Sequence, residues 1–144
     1  MKTMASKTIN TATIARLLSH EDEHGMGRVF MYAFLNEVVR QKRPFSFDCE
    51  TAQVNPNLII VDTQGSTIAV EHKRNRLSLT LNDQHTEVFS HIKYQGKAYR
   101  QVMQAWLAAC IRYTSLQPEL RNELTRYVKS IQKRVWITEV LPVH

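Results

Sequence analysis

The chain has few of the residues that break or staple a polypeptide. Its 144 residues hold four Gly, four Pro and two Cys. So few glycines and prolines leave little material for long linkers. The length suits one domain with its own core. Residues 1–144 are therefore expected to form a single domain, with 1–9 as a flexible tail. Cys49 and Cys110 lie far apart, have no metal-ligand spacing and fall on the apolar faces of their expected elements. That pattern implies reduced core thiols in a cytoplasmic protein. The first residues, Met1-Lys2-Thr3-Met4-Ala5-Ser6-Lys7, are polar and lack the apolar run of a secretory leader. No apolar stretch approaches the length of a bilayer span, so no membrane partner is expected. There is no internal repeat and no low-complexity tract.

Positive charge is in excess. Nineteen Lys and Arg against thirteen Asp and Glu give a formal net charge of +6. A basic protein of this size often meets a polyanion, and nucleic acid is the expected partner, DNA in particular. A solvated basic surface is the plain alternative. A protein partner or a homodimer is compatible with the same composition.

Periodicity divides the chain as follows. Asn10 or Thr11 caps a short helix over 12–20, with Ile14, Leu17 and Leu18 on one face. The polar run 19–25 carries His20, Glu21, Glu23 and His24. Those residues suit metal ligation, a catalytic carboxylate at a helix start or, better, an acid-rich helix start capped by Ser19, since the spacing is not His-Glu-x-x-His. A helix is expected over 26–41, stopped by Pro44. Alternation of Phe45, Phe47 and Cys49 with Ser46, Asp48 and Glu50 predicts a strand over 45–50, then a loop over 51–55. Two strands and a tight turn follow over 56–73. A cleanly alternating strand covers 77–81, and 84–94 is irregular or briefly helical. Helices are expected over 95–113 and from Pro118 to about residue 133, and a last strand over 135–141.

The segment 56–73 carries the densest chemistry. A period of two places Glu71 and Lys73 on one strand face, an acid beside an amine. His72 points the other way. A two-residue turn at Gln64 and Gly65 would pair Thr63 with Ser66, Asp62 with Thr67, Ile60 with Ala69 and Leu58 with Glu71. At about 3.3 Å per residue, Asp62 is then about 13 Å from the level of Glu71, too far to share a metal ion. Asn57 is close to that level instead.

Pro56-Asn57, a strand, a turn and then Glu71-His72-Lys73 resemble the signature of the PD-(D/E)xK nuclease superfamily. The order of elements over 26–141 is similar to that family's αβββαβ core. The resemblance implies an α/β (α+β), restriction-endonuclease-like fold, with a mixed central sheet flanked by helices. It implies Mg²⁺ held by Glu71 and by the residue after the proline, here Asn57, with Lys73 placing the attacking water. Glu71 and Lys73 are thus the implied catalytic residues, and Asn57 and Glu71 the implied metal ligands. Mg²⁺ takes hard oxygen donors and polarises a phosphoryl group. Asn57 departs from the family's Asp and supplies no charge. Asp48, Glu50 or Asp62 are the acids that would substitute under a different register, Glu21, Glu23 or Glu37 the candidates for an added helix glutamate. Gln95 with Tyr99, or Gln101 and Gln104 near Trp106, echo a further Gln and aromatic of some branches.

Three functions are compatible with these residues. The first is a metal-dependent DNA endonuclease with a degenerate site. The second is a non-catalytic nucleic-acid-binding protein, with Lys73, Arg74, Arg76, Lys97 and Arg100 on phosphates, joined by Lys93 and a basic helix face over 121–134. The third is an accessory or inhibitor protein that binds another protein.

Overall fold

Asn10 fixes the start of the first helix. Its side-chain Oδ1 accepts the Thr13 N–H at 2.8 Å, satisfying a donor that the first helical turn leaves without a partner. The computed structural model describes residues 9–22, 24–41, 43–73, 76–90, 99–114 and 116–140, of 132–140 the backbone only. Nearly all of the expected tail, 1–9, lies outside these residues, but Ile9 does not behave as tail: it is buried in the core.

Helix α1 runs Thr11–Leu18 and buries Ile14, Leu17 and Leu18. Ser19 closes it as its C-terminal cap rather than opening a new helix. Helix α2 is Val29–Glu37, shorter than the expected 26–41, with a 3-10 turn at Val39–Gln41. Gly25 at φ 72° and Gly27 at φ 58° hold the preceding chain in left-handed backbone, a conformation that a right-handed helix cannot contain.

The expected strand 45–50 does not form. Phe47 and Cys49 are buried as the alternation implies, but the Asp48 N–H goes to a side chain rather than to a ladder. The first strand, β1, is instead Gln53–Val54, within the expected loop. It is followed by β2 Ile59–Val61, β3 Thr67–Lys73, β4 Arg76–Leu81 and β5 His85–Phe89. The strand β5 replaces the irregular segment expected there. Its alternation was masked because a carboxylate, Glu87, occupies an inward position, where Arg43 Nε meets it at 2.7 Å.

The five strands form one sheet in chain order, each paired antiparallel with the next. Ile60, Ile68, Val70, Leu77, Leu79, Leu81 and Phe89 face one hydrophobic core together with the helices. Helix α3, Tyr99–Arg112, supplies the centre of that core with Trp106. The Trp106 Nε1–H donates to the Phe30 carbonyl at 3.0 Å, and its ring meets Phe34 edge-on at 4.9 Å, a favoured aromatic geometry.

Helix α4 is Pro118–Val140. It absorbs the expected last strand, 135–141, up to Val140. No Gly or Pro interrupts it after Pro118, so helical hydrogen bonding runs on through β-branched residues that read as strand in isolation. Without that strand, the described residues contain no crossover return to the sheet. The fold is mixed α+β, and its sheet is purely antiparallel rather than mixed. Among the described residues no helix is long and apolar enough to cross a membrane.

Candidate functional site at the β3–β4 hairpin

The connection between β2 and β3 is wider than a two-residue turn. Val61 pairs with Thr67, Ile60 with Ile68 and Ile59 with Ala69. This is one residue off the expected register, and a one-residue slip exchanges the faces of a strand. The observed register sends Ile60 and Ile68 together into the core. Asp62 holds the wider turn. Its Oδ1 accepts the N–H groups of Gln64 and Ser66 at 3.0 and 2.9 Å, and its Oδ2 accepts that of Asp48 at 2.9 Å. Asp62 is buried and fully engaged with backbone, which removes it as a metal ligand.

The β2–β3 ladder stops at Ile59 paired with Ala69. Leu58, at φ 61°, leaves the strand conformation, and its carbonyl still accepts the Val70 N–H at 3.0 Å. The expected pairing of Leu58 with Glu71 is therefore absent. Asn57 sits in the turn before it, exposed, with its N–H donating to Asn55 Oδ1 at 2.9 Å. Among the described residues, Asn57 shares no hydrogen bond with Glu71 or Lys73.

Glu71 and Lys73 do share a strand face. Lys73 Nζ lies 3.7 Å from Glu71 Oε2, and the two side chains are 63% and 62% exposed. On the same face are Ile59, Ala69, Ser78, Thr80, Thr86 and Val88, as the register places them. None of these belongs to the hydrophobic core. His72 points to the opposite face, where its Nε2 and the Tyr99 hydroxyl share a hydrogen bond of 2.8 Å. Thr11 Oγ1 donates to the His72 carbonyl at 3.2 Å.

The β3–β4 register places Lys73 directly opposite Arg76, and Glu71 opposite Ser78. Directly opposed residues of an antiparallel pair project from the same face with their Cβ atoms about 5 Å apart. Two cations therefore close this hairpin side by side. At the same end of the sheet, the Tyr99 N–H donates to the Ser90 carbonyl just beyond β5, which brings the start of α3 there. Arg100 is the second residue of α3, whose first turn has no acid. Lys73, Arg76 and Arg100 thus come to one end of the sheet from three elements. Arg74, Lys93 and Lys97 lie outside the described residues.

The donor set at this site does not make a resident Mg²⁺ centre. Among the described residues Glu71 is its only carboxylate and is paired with Lys73, and Asn57 adds a neutral amide from a separate turn. Among the described residues, no three His, Cys, Asp or Glu side chains come together as a metal-binding group. The acids named as substitutes have other work. Glu50 Oε2 accepts from the Tyr32 hydroxyl at 2.5 Å, and Asp48 Oδ1 and Oδ2 accept from Glu50 N and Thr51 Oγ1. The Tyr32 hydroxyl, held by Glu50, is pushed up to about 12.

The described residues of the polar run 19–25 form turns rather than a helix start. His24 uses both ring nitrogens internally, Nε2 with the Ser19 carbonyl at 3.0 Å and Nδ1 with the Met26 N–H at 2.9 Å. Neither is left to ligate a metal. Glu23 lies outside the described residues, and Glu21 lies 3.6 Å from His20 Nε2. A cleft of about 930 Å³ separates this run from the first turn of α4, with Arg16 bridging it to Glu123 at 2.6 Å. Tyr99 and Trp106 are spent on the core, and Gln104 Nε2 is buried without a partner among the described residues.

Both cysteines are poor nucleophiles. Burial pushes the Cys49 thiol up to about 11 and the Cys110 thiol higher still, so neither forms thiolate at neutral pH. What sequence reasoning missed is the opposition of Lys73 and Arg76, which depends on the register in which β3 and β4 pair. No family model matches the chain, and no curated protein or solved structure matches it either.

Proposed function

We propose that this protein binds nucleic acid, DNA in the first instance, through its phosphates at the end of the β3–β4 hairpin, without cutting it. The observation that carries this reading is the cross-strand opposition of Lys73 and Arg76. Like charges placed directly opposite on a sheet destabilise it. An anion seated between them offsets that cost, and a phosphodiester is the anion that a basic chain of charge +6 meets in quantity. Arg100 entering at the same end extends the positive surface along a backbone. Phosphate contacts of this kind position a nucleic acid but carry no sequence information.

The test is titration of a labelled duplex oligonucleotide at about 50 mM salt, repeated at rising salt. Three phosphate-binding cations give a slope of log affinity against log salt of about −2.7. Lys73→Gln and Arg76→Gln should each weaken binding and reduce that slope by about 1. Absence of binding at low salt, or affinity indifferent to both substitutions, rejects the proposal.

A second reading is a metal-dependent endonuclease on a restriction-endonuclease-like core. One observation favours it, the juxtaposition of Glu71 and Lys73 on one exposed strand face. Against it stand the unsuitable donor set and the helical run to Val140 where that core needs a strand. Plasmid DNA incubated with Mg²⁺ or Mn²⁺ beside a Lys73→Ala variant separates the two readings. Cutting that depends on Lys73 would favour the nuclease, whereas salt-sensitive binding without cutting favours the first proposal.

A further inference from the structure

We infer that Glu71 is a built-in competitor for the phosphate site, occupying Lys73 until a phosphate displaces it and so setting how tightly the hairpin holds its polyanion. This rests on the phosphate-binding reading above and assigns Glu71 the opposite role to a metal ligand. The geometry is specific. Lys73 Nζ and Glu71 Oε2 are 3.7 Å apart, closer than ions at random but longer than the roughly 2.7–2.9 Å of a charge-assisted hydrogen bond. Both side chains are more than half exposed, so water screens the pair and little is lost when it parts.

Among the described residues, Glu71 pairs with no cation other than Lys73. Its partner across β4 is Ser78, a neutral residue. Arg76 lies diagonally from Glu71 and makes no ion pair with another described residue. The three charges therefore stand as a free cation, a cation already holding a carboxylate, and that carboxylate beside the position between them. A phosphate entering between Lys73 and Arg76 must take Lys73 from Glu71 and then sit beside its negative charge. Both effects oppose binding, and both vanish when the carboxylate is made an amide.

The experiment measures affinity for a labelled duplex oligonucleotide of mixed sequence in EDTA at low salt. The proteins are the wild type, Glu71→Gln, Lys73→Gln and the double variant, with thermal unfolding checked for each. Glu71→Gln should bind about two- to five-fold more tightly than wild type, the range expected for releasing an exposed ion pair. That gain should shrink in the Lys73→Gln background to the part owed to direct repulsion of the phosphate, because the competition acts through Lys73, and an undiminished gain would also overturn the competitor role. If Lys73→Gln weakens binding while Glu71→Gln leaves it unchanged or lowers it, the competitor role is overturned and the phosphate site stands. If the wild type does not bind DNA, the phosphate site falls and this inference falls with it.

Discussion

The Asp62 carboxylate accepts the Asp48 N–H at 2.9 Å, tying the turn before β3 to a segment 14 residues upstream. The same carboxylate takes the N–H groups of Gln64 and Ser66. One buried side chain thus satisfies three backbone donors and holds the wide turn between β2 and β3. Asp62→Ala should lower stability by about 2–4 kcal/mol, since the turn loses three hydrogen bonds to one carboxylate at about 1 kcal/mol each. Asp62→Asn should cost less, as Oδ1 remains an acceptor. Urea unfolding measures both. A loss in the alanine variant below about 0.5 kcal/mol, the scatter of ordinary surface changes, would mean the turn holds without its clamp.

Two neighbouring residues of the β4–β5 turn should respond to glycine in opposite senses. Asn82 and Asp83 both have left-handed backbone, φ 54° and 59°, and the Gln84 N–H closes the turn on the Leu81 carbonyl at 3.0 Å. Such a turn favours glycine at its second central position. Asp83→Gly should raise stability by about 0.5 kcal/mol, the backbone relief exceeding the entropy that glycine adds to the unfolded chain. Asn82→Gly should lower it by about 1 kcal/mol, because Asn82 Oδ1 accepts the Thr67 N–H at 2.9 Å. The denaturation midpoints of the two variants should therefore fall on either side of the wild type.

The buried thiols predict a loss of stability in alkali. The Cys49 thiol, raised by burial from about 9 to about 11, keeps its proton in the folded state when the unfolded chain has released it. A group with a raised folded value contributes stability that is complete below about pH 9 and is lost as pH rises through about 11. Cys110 shifts in the same direction for the same reason. Unfolding free energy measured from pH 7 to 11 should decline above about pH 9, and less steeply in Cys49→Ala. An equal decline in that variant would assign the effect to other groups.

Local pattern exposed some of this molecule and hid the rest. Asn10 as a cap, the buried stripe of α1, the strands β3 and β4 and the start of α4 at Pro118 all follow from short-range rules that the structure obeys. The strand β5 was hidden because Glu87 reads as outward until Arg43, 44 residues earlier, arrives to pair with it. Residues 135–140 read as strand because β-branched residues alternate there, but the helix already running from Pro118 meets no breaker. The candidate site divides the same way. Glu71 and Lys73 share a face by strand geometry alone, whereas Asn57 is separated from them by the left-handed Leu58.

By itself the sequence determined the basic charge and the common face of Glu71 and Lys73, because each depends only on composition or on the two-residue period of a strand. Tertiary structure alone decided that Asp62 clamps a turn, that Lys73 stands opposite Arg76, and that α3 brings Arg100 to the same end of the sheet. Those relations are fixed by which strands pair and in what register. Register is set by burying Ile60, Ile68 and Leu79 together, a condition that no single segment of the chain contains.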